Sequence, residues 1–125
     1  MTLRMAALLM AASGFACAGT WTGRLVDAGC FTSEVSNVTK DYGPAERDMR
    51  LVLDACAPGV KTKAFALVLS DGSALQFDNT GNAKAAELVK SSGGKRHQVR
   101  VAVDGDADGS SIRVSSIANE SSAAR

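Results

Sequence analysis

The feature that most limits the fold of this chain is an apolar segment at its start that ends in a cleavage motif. Arg4 precedes an apolar run over residues 5–12, and small residues then lead to Ala-Cys-Ala at 16–18. A basic residue, a short apolar run and an A-x-A motif are together typical of a secretory signal peptide, which is removed after the last alanine. The sequence therefore predicts a signal peptide over residues 1–18 and a mature chain that begins at Gly19.

Cys17 gives a second interpretation of the same segment, as the lipid-anchored first residue of a bacterial lipoprotein. Such sites usually carry an aliphatic residue three positions upstream, where this chain has Gly14. Cleavage after Ala18 is therefore preferred to lipid anchoring at Cys17. The expected location is periplasmic or extracellular.

After cleavage, one small and electrically balanced domain is expected to remain. Removing 18 of the 125 residues leaves 107, which is enough for one domain and not two. Cleavage takes Arg4 from the 14 Lys and Arg residues, so 13 basic residues stand against 13 acidic ones. Nucleic acids and anionic membranes bind surfaces with a basic surplus. We therefore expect no nucleic acid partner. No apolar run approaches the about 20 residues that a membrane-spanning helix needs, so no integral membrane segment is expected.

Cys30 and Cys56 are the two cysteines of the predicted mature chain. In an oxidising compartment two cysteines most simply pair. Their disulfide would close a loop of about 27 residues and contribute about 3.5 kcal/mol on the loop-closure model. A metal site or a catalytic thiol is the alternative, but there is no C-x-x-C motif and only one histidine. The sequence predicts the Cys30–Cys56 disulfide.

Alternating or continuously apolar segments predict five strands. Gly23 lies inside the first and suggests a bulge or a sharp bend. Asp71-Gly72 is a hairpin signal between the second and third. The predicted strands cover residues 20–28, 64–70, 74–78, 97–103 and 111–117.

Two helices are expected between these strands. The first starts near Pro44 and ends at Pro58-Gly59, with one apolar stripe formed by Met49, Val52, Leu53 and Cys56. The second is capped by Thr80 or Asn82 and stops at Gly93-Gly94. Residues 31–41 are polar and without a pattern, and are predicted to be a loop.

The order of these elements predicts a mainly β fold with two helices. A five-stranded small barrel with a helix between strands 3 and 4 is the OB-fold arrangement, and the first helix is then an insertion after strand 1. An α+β sheet with helices on one face is the alternative. The domain is expected to span residues 19–118, followed by a flexible tail at 119–125.

Several segments resemble a group of small secreted bacterial domains of uncharacterised function. The similarity lies in residues 21–30 (WTGRLVDAGC), 56–59 (CAPG) and 112–117 (IRVSSI), together with the strand pair joined at Asp71-Gly72. This resemblance implies an OB-like fold and a location in the cell envelope. It implies no reaction.

Three carboxylates at alternate positions, Asp104, Asp106 and Asp108, are the most chemically suggestive motif. They match the opening half of a calcium loop, in which oxygen atoms converge on a hard cation. The twelfth position of such a loop needs a glutamate, and this chain has Ser115 there. Residues 104–109 are therefore predicted to be a solvated turn, with calcium binding as the alternative.

Trp21, Tyr42 and His97 are the candidate ligand-binding residues. An OB topology would bring them to one end of the barrel, where the aromatic rings would supply contact area and the imidazole would orient a ligand. His97 is the only histidine, and no serine lies in a nucleophile-elbow pattern. General acid–base and covalent catalysis both need groups that this sequence does not display.

Two classes of function follow from these patterns. The preferred one is a secreted or periplasmic, non-catalytic binding or accessory module that needs no cofactor, with an envelope ligand or protein as its partner. The alternatives are a calcium-binding domain, through the segment from Asp104 to Asp108, and an envelope enzyme with an unrecognised site.

Overall fold

The computed structural model describes residues 17–41, 46–93 and 99–120, and the proposed signal residues 1–16 lie outside these ranges. Five strands close a barrel in the order β1-β2-β3-β5-β4, with one helix between β3 and β4. This confirms the predicted mainly β, OB-fold-like barrel. The elements are β1 (Cys17–Asp27), α1 (Ala28–Asp41), α2 (Glu46–Ala55), β2 (Phe65–Val68), β3 (Ala74–Phe77), α3 (Asn79–Ser91), β4 (Val99–Asp108) and β5 (Ser111–Asn119).

The long first strand serves two neighbours. From Cys17 to Leu25 it pairs antiparallel with β4, and from Arg24 to Asp27 it pairs antiparallel with β2. Gly23 lies at this changeover, and a Cβ there would lie 2.2 Å from the carbonyl oxygen of Val68. A side chain at this position would therefore push β1 and β2 apart, so the close approach of the strands requires glycine here, while the register with β4 runs through Gly23 without a bulge.

A β-bulge lies where β4 and β5 cross the middle of the barrel. The register shifts between Asp104 and Gly105, so that Ser115 of β5 has no opposite residue. A Cβ on Gly105 would come within 2.2 Å of the carbonyl oxygen of Arg113. Glycine is thus required where the bulged strand approaches its neighbour, and the extra twist helps the sheet to close.

The main core fills the interior of the barrel. The inward side chains of the strands meet Ala85 and Val89 of α3, which covers one side of the barrel. Phe65 and Leu67 from β2 and Val101 and Val103 from β4 are at most 1% exposed. We call this set the barrel core.

A second core lies on the outer side of β1 and β2. Val26, Ala66 and Val68 point away from the barrel and pack against Phe31 of α1 and Val52 of α2. Met49, Leu53 and Cys56 also belong to this cluster, so the apolar stripe predicted for the helix is confirmed. We call this set the outer core.

Within the outer core, the disulfide links the beginning of α1 to the end of α2. Cys30 in the first turn of α1 is bonded to Cys56, which follows α2, with 5.5 Å between their Cα atoms. Asp27 supports the same junction, because its carboxylate accepts from the Cys30 N–H and from the Thr62 hydroxyl, each at 3.0 Å. The predicted pair is the pair in the structure.

Two details of the helices differ from the prediction. Residues 31–41, predicted to be a loop, belong to α1, so the described residues contain three helices where two were expected. Capping by Asp27 and burial of Phe31 provide the order that the polar sequence does not suggest. The cap of α3 is Asp78, not Thr80 or Asn82, and its carboxylate accepts from the Gly81 N–H at 2.9 Å.

The last strand continues through Asn119, the residue at which the predicted tail begins. Glu120 then pairs with Arg100 at 2.6 Å. Residues 121–125 lie outside the described residues.

Candidate functional site

The helices leave one side of the barrel exposed. α1 and α2 pack over β1 and β2, while α3 packs mainly on β5. The outward side chains at the amino-terminal part of β1 and along β4 and β5 are exposed to solvent. We call this surface the open face; it is formed by Thr20, Thr22, Asp104, Asp106, Arg113 and Ser116.

Strand register brings these side chains side by side. Thr20 of β1 lies opposite Asp104 of β4, which lies opposite Ser116 of β5. The next row toward the turn holds Asp106 and Arg113 opposite each other. Since directly opposite residues in an antiparallel pair share a face, the open face is a three-stranded patch of short polar and charged groups.

Asp104 lies at the centre of the open face and is held from both sides. The Thr20 hydroxyl donates to its Oδ1 at 2.5 Å, and the Ser116 hydroxyl donates to its Oδ2 at 3.1 Å. The Thr20 hydrogen bond, followed by the Ser116 bond, lowers the pKa of the Asp104 carboxyl below its ordinary value. The carboxylate is therefore ionised at neutral pH and fixed in orientation.

A cleft of about 310 Å³ adjoins the open face near the turn between β4 and β5. Phe77 and Ile112 lie in its lining, and Asp106, Asp108 and Arg113 bring charge to it. Phe77 and Ile112 are themselves at most 8% exposed, and the lining of the cleft is as polar as it is apolar.

The structure corrects the prediction of an acidic turn. Residues 104–108 form the last half of β4, and the turn itself is limited to Gly109 and Ser110. Asp104, Asp106 and Asp108 alternate with inward residues, so their carboxylates project from one face and do not curl around a common centre. Among the described residues, no group of three or more His, Cys, Asp and Glu side chains is placed to hold a metal ion.

The three candidate ligand-binding residues are not brought together by the described part of the chain. Trp21 lies opposite Val103 and is half-buried against the barrel core, so much of its indole contributes to packing. Tyr42 and His97 lie outside the described residues. The ligand site at Trp21, Tyr42 and His97 therefore stays a prediction.

Sequence analysis did not identify Thr20, Thr22 and Ser116 as site residues. Their alternation with Trp21 and Ile117 carries the signal, since polar residues at every second position of a strand face solvent. The pattern does not predict the strand register that places Thr20 beside Asp104, 84 residues away. That neighbourhood follows only from closing the barrel.

Comparisons of the chain with family models, with curated proteins and with solved structures found no match. Within the described ranges, no helix combines the length and apolar character needed to cross a membrane. The Cys30–Cys56 disulfide indicates an oxidising, extracytoplasmic environment.

Proposed function

We propose that the chain is exported, loses residues 1–18 and acts in the cell envelope as a non-catalytic binding module of the small secreted OB-like type. The open face is the surface that contacts the partner. The observation that carries this proposal is the exposed, hydrogen-bonded row of Thr20, Asp104 and Ser116, which the helical layer leaves uncovered.

Fixed hydroxyl and carboxylate groups favour binding of a polar partner. Asp104 pays little ordering entropy on binding, because Thr20 and Ser116 already hold its carboxylate. Short side chains at Thr22 and Ala102 keep the neighbouring row of the patch flat. The adjoining cleft adds the exposed carboxylate of Asp108. A partner with hydroxyl or cationic groups fits this arrangement.

Neither of the two described carboxyls with a shifted pKa is suited to act as a general acid. A general acid at neutral pH needs a carboxyl whose pKa is raised. The pKa values of Asp71 and Asp104 are both lowered, the first chiefly by the Ser73 hydroxyl and the second chiefly by the Thr20 hydroxyl. Both cysteines of the proposed mature chain are held in the disulfide and supply no thiolate.

Site-specific photo-crosslinking in the producing cell tests this function. A photoreactive residue at Thr22 should give a discrete adduct with an envelope component, because Thr22 lies on the open face beside the row of Thr20, Asp104 and Ser116. The matched control is the same residue at Lys61, which is exposed on the segment that follows α2. Equal adducts from both positions, or none from Thr22, would contradict the proposed surface. Turnover of an envelope substrate by the purified protein would contradict a purely binding role.

A further inference from the structure

The first strand of the barrel begins before the proposed cleavage site. Cys17 pairs with Ala107 and Ala18 pairs with Asp106, so the Ala18–Gly19 bond lies inside the β1–β4 ladder. In the uncleaved chain, two residues of the signal segment thus occupy a place in the sheet.

Cleavage after Ala18 removes Cys17 and Ala18 from the β1–β4 ladder. A signal peptidase adds water across the Ala18–Gly19 amide, so that Ala18 leaves with a new carboxylate and Gly19 keeps the amine. β1 then starts opposite Gly105, and the end of β4 from Asp106 onward has no neighbour on this side. Pairs in an antiparallel ladder alternate between hydrogen-bonded and non-bonded, so one of the two lost pairs exchanged both backbone bonds. Its N–H and C=O on β4 are left exposed.

The side chains along this edge of β4 indicate what kind of peptide strand could pair with it. Asp106 and Asp108 point outward and are exposed, while Ala107 between them is half-buried and packs against the barrel core. A strand in this place would set its outward side chains opposite the two carboxylates, where positive charge is favoured. The residue of that strand opposite Ala107 would direct its side chain inward beside Ala107.

We propose that the β4 edge at Asp106–Asp108 of the mature protein binds an extended peptide segment of the partner, antiparallel to β4. The segment alternates basic residues with small apolar ones and takes the place that Cys17 and Ala18 hold before cleavage. Their pairing with Ala107 and Asp106 shows that a strand fits there. This inference rests on the proposed export and binding role, and it names the chemistry of the partner. Strand addition of this kind gains affinity from the backbone and specificity from alternate side chains.

Two oxidised forms of the chain provide the test. One begins at Gly19 and is obtained by export, with its start verified by intact mass. The other begins at residue 17 with Cys17→Ser, and its own strand fills the place on β4. The probes are a short peptide of alternating lysine and alanine and its glutamate counterpart, and the readout is the amide NMR shifts of each form.

The lysine peptide should shift the amides of Asp106 to Asp108 saturably in the form that begins at Gly19. Binding to the longer form should be about tenfold weaker, since the backbone bonds are already made. Asp108→Asn should lower the affinity for the lysine peptide. Asp71→Asn, which alters an exposed carboxylate on the β2–β3 turn, should leave that affinity unchanged.

Three results would overturn the inference. Equal binding to both forms would exclude the strand edge, and stronger binding of the glutamate peptide would exclude the role of the carboxylates. An absence of amide shifts at Asp106 to Asp108 would exclude this edge as the peptide-binding site. The crosslink from Thr22 tests the open face independently of that result. An intact mass that retains Cys17, with or without lipid, would remove the premise.

Discussion

The barrel core and the outer core share the strands β1 and β2 but are held together in different ways. Leu25 and Leu67 point into the barrel, while their chain neighbours Val26 and Ala66 point into the outer core. Backbone ladders surround the first core on all sides. The second core has strands on one side only, and its helices are fixed by the Cys30–Cys56 bond. One core therefore depends on its own packing, whereas the other also depends on a covalent link.

Truncating one phenylalanine in each core should separate the two cases most strongly. Phe65→Ala should lower the free energy of unfolding by about 3–5 kcal/mol, because the closed barrel cannot collapse around the cavity. Phe31→Ala should cost less, since α1 packs from one side and can move inward. Denaturant unfolding, followed by the fluorescence of Trp21 next to the barrel core, measures both. Equal losses would show that the two cores are equally rigid.

Removing the disulfide should affect the outer core first. The double change Cys30→Ala and Cys56→Ala should cost about 3 kcal/mol, because the unfolded chain regains the freedom of the closed loop. The helical signal in circular dichroism should then be lost at lower denaturant than the Trp21 fluorescence change. Coincident transitions for the two probes would mean that the outer core and the barrel unfold as one unit.

The smallest expected effect lies on the open face, which belongs to neither core. Thr20→Val should raise the pKa of Asp104, because the hydroxyl that chiefly lowers it is removed. The carboxylate's contribution to stability is present above its ordinary pKa of 3.8 and is lost as the pH falls through the lower folded value. Thr20→Val should therefore move this loss to higher pH.

An NMR titration of the Asp104 carboxyl carbon measures the shift directly. Thr22→Val is the matched control, because Thr22 is on the same strand and face but lies opposite Ala102. An unchanged Asp104 titration in Thr20→Val would show that the hydroxyl does not hold the carboxylate in solution.

The two cores also differ in how well the sequence predicted them. Val99, Val101 and Val103 alternate with Arg100 and Ala102, so the barrel strand and its inward face followed from periodicity. The helix over residues 31–41 did not, because its order comes from the Asp27 cap and from contacts made by Phe31 across the fold. The local sequence pattern predicts secondary structure well where a strand lies in a sheet with one buried face. It predicts poorly where contacts with distant residues stabilise the element.

The segment from Asp104 to Asp108 shows the opposite error. Aspartate and glycine favour turns, so the composition predicted one. Pairing with β1 on one side and β5 on the other holds the same residues extended, and the inward positions are taken by the small residues Gly105 and Ala107. Tertiary pairing thus overrides turn propensity. The candidate surface could not be predicted, because it depends on the pairing of β1 with β4, which is distant in sequence.

The seam between β3 and β5 has a consequence for how the barrel moves. Only Gln76 with Ser111 and Phe77 with Ile112 pair there, whereas β1 and β4 pair over nine positions. The Asp78 carboxylate bridges the gap by accepting from the Gly81 N–H of α3 and the Val114 N–H of β5. Local opening of the barrel is therefore expected to start between β3 and β5, and it would require the hydrogen bonds of the Asp78 carboxylate to break. Because one of these bonds comes from α3, this helix is expected to move when the strands separate.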